Sequence, residues 1–180
     1  MKTKSTAAYI VKLTLTLFLI TAVVAGLLGL VNFITADKIA AGNAEKAAAA
    51  KAEVLEASSY KEVESFTDDT GLVIALWKAD ELGYVAECVV GGSQGDIDLM
   101  VGVRADGTVS GVSIIKQTET AGLGAKSTQP EFSEQFKGKS GTVLVTKDGG
   151  EIDALTGATI TSRAVCAAVS AATACVDNLG

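Results

Sequence analysis

A run of 22 residues without a charge, "LTLTLFLITAVVAGLLGLVNFI" at Leu13–Ile34, constrains this chain more than any other feature. As an α-helix rising ~1.5 Å per residue it would reach about 33 Å, matching the ~30 Å hydrocarbon core of a bilayer. A cleaved secretory leader has a shorter apolar region, roughly 7–15 residues, with a small-residue cleavage site soon after it. Here the run is longer, and the Ala-rich stretch beyond it keeps a helical composition. The expectation is an uncleaved transmembrane helix over residues 13–35, preceded by a short segment, 1–12. No cysteine follows the run to carry a lipid anchor.

Charge sets the expected orientation. Lys2, Lys4 and Lys12 precede the span, and the first acidic residue is Asp37. The positive-inside rule then keeps residues 1–12 in the cytoplasm and sends the remainder to the outer side of the cytoplasmic membrane. Removing those three from the 15 Lys and Arg leaves 12 against 21 Asp and Glu, a charge of −9 beyond the span. A domain that acidic has no footprint for nucleic acid. Cys166 and Cys175 lie nine residues apart on one predicted helix, about 13 Å along its axis, too far to bridge. With three cysteines and no histidine there is no zinc or iron–sulfur spacing, so no metal is expected. The cysteines read as small buried hydrophobes.

The rest of the chain reads as one α+β domain. "ADKIAAGNAEKAAAAKAEVLEASS" has a strongly helical composition and forms an expected connecting helix over residues 36–59. From residue 60 the pattern turns to strands: "GLVIALWKA", "GYVAECVVGG", and a hairpin in "IDLMVGVRADGTVSGVSIIKQ". "QPEFSEQFKGK" predicts a short helix with Pro130 in its first turn, and "GTVLVTKDGG" a further strand. The segment Thr161–Asn178 is apolar, but it is short, built on Ala instead of Leu, and carries Arg163 and Asp177. It is expected to be a helix buried against the sheet and not a second span.

Ahead of that helix stands "DALTGATITSRAV", with four hydroxyls (Thr156, Thr159, Thr161, Ser162) around Gly157 and Ala158. One of the four is expected to cap the helix. The free amides of a helix start also suit an anion. A hydrolytic nucleophile would need a base; histidine is absent, and neither a G-x-S-x-G elbow nor a Ser-x-x-Lys pair occurs here. A phosphoester on a threonine would put its charged oxygens where the helix dipole favours them. Local spacing alone does not separate Thr159 from Thr161.

The pattern D-x-x-T-G-A-T-x-T-S closely resembles the flavinylation motif of the FMN-binding domain family. In that family a flavin transferase joins FMN through its phosphate to the threonine closing the motif. The resemblance therefore implies covalent FMN on Thr159, with Thr156, Gly157, Ala158 and Thr161 around it. "TETAGLGAK" at Thr118–Lys126 resembles the T-E-T-P-G-L-G segment that the family sets against the isoalloxazine ring. Glu119, Thr120, Gly122, Leu123 and Gly124 match. Ala121 stands where proline is usual, which removes a φ restraint. On residues alone this stretch is a Gly-containing loop after a strand.

The layout of span, Ala-rich helix and flavin domain is similar to family members that serve in Rnf-type ion-translocating electron transport complexes. That likeness implies membrane subunits as partners and ferredoxin:NAD electron transfer coupled to ion movement. Members found in sodium-translocating NADH:quinone reductases share the motif but are usually longer. A stand-alone extracytoplasmic flavin reductase, or a non-redox binding module whose threonines only cap a helix, are the other readings. No catalytic residue is expected. The flavin carries electrons, and the polypeptide supplies attachment, orientation and electrostatics. Glu119, if ionised, is expected to disfavour an anionic reduced flavin and lower its potential.

Overall fold

The structure is a computed structural model describing residues 3–179; Met1 and Lys2 of the expected N-terminal segment, and Gly180, lie outside the described residues. The chain forms two compact units, Met1–Ala44 and Glu45–Gly180. Helix α1 runs Thr3–Val54; its stretch up to Ala44 makes the first unit, and its last turns belong to the second. Its stretch Ala8–Ala36, 29 residues, is long and apolar enough to cross a membrane. The successive side chains Leu17, Phe18 and Leu19 are 64–67% exposed, so the charge-free run Leu13–Ile34 presents apolar side chains all round and offers no charged face to water. Three of the helix's threonines need no solvent either. The hydroxyls of Thr16, Thr21 and Thr35 donate to the carbonyls of Lys12 (2.8 Å), Leu17 (3.0 Å) and Val31 (2.8 Å), as polar groups in lipid must.

The second unit is built on five antiparallel strands in sequence order: β1 (Tyr60–Glu62), β2 (Val73–Ala79), β3 (Gly83–Gly91), β4 (Asp96–Arg104) and β5 (Val109–Lys116). One face carries Leu76, Ala86, Cys88, Leu99, Val101 and Val112 against helix α3 (Thr159–Asp177). The inward residues of α3 are small (Ala164, Cys166, Ala168, Ala171, Ala172 and Cys175), which lets its backbone lie close to the strands. The apolar final segment is thus a buried core helix, as expected from its Ala content. Phe132 and Phe136 meet edge to face at 5.4 Å and close one end of this core. They come from helix α2 (Pro130–Ser133), with Pro130 in its first turn, and the 3-10 turn that follows it.

The opposite face takes the last turns of α1, where Ala50 and Val54 pack on Ala79, Val85 and Met100. Strand β4 is consequently buried on both faces from Leu99 to Val103, which explains its unbroken apolar run. Two glycines paired across β4 and β5, Gly102 and Gly111, make the approach possible. A Cβ on Gly102 would fall against Ser110 Oγ and 2.6 Å from the Val54 carbonyl oxygen; one on Gly111 would lie 3.2 Å from Val54 Cα. The Ser110 hydroxyl donates to the Val54 carbonyl, and Ser113 Oγ donates to Glu53 (2.7 Å). Lys51 lies 3.1 Å over the Trp77 ring, a cation–π contact on the same face.

One predicted strand is absent. In "GTVLVTKDGG" only Val145 pairs, in a single parallel bridge to Ile152. Thr146–Asp148 then form a 3-10 turn closed by Gly149 in the left-handed region (φ 86°). Val143 and Val145 are buried, so the alternation is genuine, but it packs beneath α3 without joining the sheet. The cysteines are all unpaired and buried. Burial pushes the Cys88 thiol far up and that of Cys166 to about 12.

The close approach at Gly102 has a measurable consequence. Gly102→Ala should destabilise the full-length chain in detergent by about 1–3 kcal/mol through overpacking. Gly91→Ala, where a Cβ meets open space, should leave the melt unchanged. Identical melting of the two variants would contradict the packing described.

Candidate functional site

The antiparallel order carries the β3–β4 turn, the exit of β5 and the start of α3 to one end of the domain. Glu119, just past β5, ties them together. Its side chain is only 8% exposed. Oε1 accepts from the amides of Ser93 (2.7 Å) and Gln94 (3.0 Å), and Oε2 accepts from the hydroxyl of Thr161 (2.6 Å). Its own amide donates to Gln117 Oε1 (2.6 Å). Burial pushes its carboxyl up, yet the Thr161 hydroxyl and the two amides outweigh burial and hold it below the ordinary range. Glycines shape the pocket that receives it. A Cβ on Gly92 would collide with Oε1; one on Gly124 would collide with Oε2 and sit 2.7 Å from Thr161 Oγ1.

The Thr118–Leu123 loop folds on itself. The Thr120 carbonyl accepts from Leu123 (3.1 Å) and Ala125 (3.2 Å), and Gly122 takes a left-handed turn at φ 77°. These bonds shape the loop at the position where proline would otherwise restrain it. Thr120 is exposed, and Leu123 is 42% exposed. Gly157, also left-handed at φ 77°, is close enough that an added Cβ would be 3.1 Å from Leu123 Cδ2. The two stretches singled out in the sequence, far apart in the chain, are therefore in contact.

The expectation that a hydroxyl caps α3 is wrong. Ala158 occupies the cap position, with no side-chain cap bond. Two of the four hydroxyls are engaged elsewhere. Thr161 turns inward to Glu119; Ser162 Oγ accepts from the Leu155 amide (2.9 Å) and donates to the Ala158 carbonyl (3.0 Å). Among the described residues the amides of Thr159, Ile160 and Thr161 find no acceptor, the first helical bond being from Ser162 to Ala158. These donors stand at the positive end of a 19-residue helix; Thr159 and Ile160 reach the surface there, where an anion is best held, while Thr161 is buried. Thr159 stands at the first helical position, half-buried; Thr156 is exposed. Asp153 is oriented through its backbone amide, which donates to Gln135 Oε1 (2.7 Å), and its side chain is exposed.

Sequence reasoning missed two neighbours. Lys147 Nζ donates to Thr159 Oγ1 at 3.3 Å, and Ile160, 59% exposed, adds an apolar side chain beside Thr159. Lys147 lies in the segment whose alternation predicts a strand. The Gly-Gly pair after it is the signal that the segment turns instead.

The site separates Thr159 from Thr161 by environment. Thr161 is fully buried, with its hydroxyl committed to a carboxylate, while Thr159 is reachable at the surface. Because Glu119 titrates lower in the folded chain than its ordinary 4.5, its stabilising effect is complete above that value and lost as pH falls through the lower folded one. Glu119→Gln should cost about 1–2 kcal/mol of stability at neutral pH, and the gap to wild type should narrow below pH 4.5. Denaturant unfolding at neutral and strongly acidic pH with an unchanged gap would refute this reading.

The FMN-binding domain family matches residues 92–174, from the β3–β4 turn through most of α3. The G subunit of the Na+-translocating ferredoxin:NAD+ oxidoreductase complex of Acetobacterium woodii is 37% identical to this chain, over 93% of it and 92% of the relative. The G subunit of an ion-translocating oxidoreductase complex from Methanosarcina acetivorans is also 37% identical, over 91% of this chain and 92% of that one. Both matches extend through the apolar helix and the flavin domain alike. The chain belongs to the G-subunit family of ion-translocating oxidoreductase complexes, with an FMN-binding domain in its C-terminal half.

Proposed function

We propose that this chain is the membrane-anchored flavoprotein subunit of an Rnf-type complex, passing electrons through one FMN fixed to Thr159 by a phosphoester. It spans the membrane once, through residues 13–35, with residues 1–12 in the cytoplasm and the domain from residue 60 on the extracytoplasmic side. Electron transfer between ferredoxin and NAD is coupled to ion translocation by the whole assembly, and a flavin transferase matures the protein. The observation that carries this reading is the meeting of an accessible threonine, the unpartnered amides of Thr159 and Ile160 and the Gly122–Gly124 loop at one point.

The residues suit the group. The phosphate, once bound, gives a single anion to the amides of Thr159 and Ile160, and the left-handed turn at Gly157 leaves the approach to Thr159 free of side chain. Leu123 and Ile160 offer exposed apolar surface on which a flat ring can rest. FMN supplies the redox chemistry, taking up and giving back electrons. Glu119 has two roles. It fastens the two halves of the site, and its buried charge opposes extra negative charge on a reduced flavin.

Two measurements test this. The full-length chain treated with a flavin transferase should gain the mass of one FMN moiety on the peptide containing Asp153–Arg163, and Thr159→Ala should gain none. Label that survives in Thr159→Ala and disappears in Thr161→Ala moves the attachment point by two residues. Glu119→Gln should raise the flavin midpoint in a redox titration. An unchanged midpoint leaves Glu119 a structural tie alone.

A further inference from the structure

Lys147 is selected by none of the sequence arguments, yet it makes the one hydrogen bond that the Thr159 side chain receives among the described residues. Its placement is built from below. Val145 is anchored by its bridge to Ile152, and the Ile152 carbonyl accepts from the Thr146 amide (2.8 Å). The 3-10 turn Thr146–Asp148 then presents Lys147 toward the start of α3. Asp148 is the nearest acid along the chain, and it is already occupied. Arg163 grips it with two parallel bonds, Nε to Oδ2 at 2.6 Å and Nη2 to Oδ1 at 2.7 Å, the geometry in which a guanidinium holds a carboxylate most firmly. That pair does two things. It pins the turn to the first turns of α3, and it removes the carboxylate that would otherwise take the lysine. Lys147 forms no ion pair among the described residues, in a chain with a net charge of −6.

Resting on the Thr159 attachment argued above, we propose that Lys147 is a positioning residue for the phosphoester: its ammonium neutralises the phosphoryl group during and after transfer to Thr159. In that transfer Thr159 Oγ1 attacks the FMN phosphorus of a flavin dinucleotide, a phosphoric anhydride. The new Oγ1–P bond forms as the anhydride P–O bond breaks, and a nucleoside monophosphate departs. The hydroxyl proton passes through the departing phosphate to water, and nothing is oxidised or reduced. The ammonium donates to Oγ1, so the hydroxyl hydrogen points away from Lys147 and the oxygen already lies in a positive field. Negative charge gathers on the phosphoryl oxygens during attack, beside the same ammonium and the amides of Thr159 and Ile160. Donors fixed in advance where charge develops lower a barrier without reorganising. The diester left behind keeps one negative charge, and Lys147 remains its counter-ion. The Asp148–Arg163 pair acts one step back, by holding the lysine in place.

The test measures flavin incorporation into the full-length chain in detergent, with purified flavin transferase and flavin dinucleotide, by in-gel fluorescence against time. Lys147→Gln should slow incorporation by about tenfold, the size expected for one charge-assisted contact. Lys147→Arg should keep the rate within about twofold, and Lys147→Glu should fall below Lys147→Gln. Thermal melts of the unlabelled variants should coincide with wild type, because the side chain is exposed. Raising ionic strength should slow wild type more than Lys147→Gln, a response that a packing role would not give. Wild-type rates in Lys147→Gln, or equal losses in the Gln and Arg variants, overturn the proposal while leaving attachment at Thr159 intact. Label retained in Thr159→Ala overturns the attachment itself, and the lysine's role with it.

Discussion

Four backbone or side-chain partners converge on one buried glutamate, and the functional end of the domain depends on them. Glu119 receives two amides from the β3–β4 turn and a hydroxyl from α3, while its own amide is held by Gln117. A carboxylate at 8% exposure is costly unless its lone pairs are filled; here they are filled by groups drawn from separate segments of the chain. The tie therefore specifies a geometry as much as it stabilises one. It fixes where the Gly122–Gly124 loop stands relative to Thr159.

Smallness is the second theme, and it operates on both faces of the sheet. On one face, alanines and cysteines allow α3 to lie low over β3 and β4. On the other, Gly102 and Gly111 open a path for the end of α1. Large side chains in either place would keep the layers apart and move the α3 start away from the Glu119 loop. The Phe132–Phe136 pair supplies bulk at the edge, where the layers diverge and small residues could not fill the gap.

Much of this is legible in the sequence. The 22-residue apolar run, the strand alternation and the Ala-based final helix each follow from one local pattern, and their outcomes follow that pattern closely. The motif around Thr159 and the loop around Glu119 also announce themselves, but not their contact. That contact depends on strand order and on a hydrogen bond spanning 42 positions. The cap escapes local rules for a related reason. Those rules assign a serine or threonine to the helix start, whereas Thr161 turns to a tertiary partner, Glu119, Ser162 bonds the Leu155 amide and the Ala158 carbonyl, and Ala158 is left at the cap. "GTVLVTKDGG" has a strand's alternation without an available sheet edge. Periodicity reports which residues are buried, and here it does so correctly for Val143 and Val145; it does not report against what.

The sulfur chemistry of the domain carries a practical consequence. Cys88, Cys166 and Cys175 are all buried, with ionisation driven out of the neutral range, so none presents a thiolate to reagents in solution. A fourth cysteine placed on an exposed rim, at Thr156 or Thr120, would be the single nucleophilic sulfur on the folded surface. Maleimide dyes or spin labels could then report distances from the Glu119 end of the domain in an otherwise native background, with no need to strip the original thiols first.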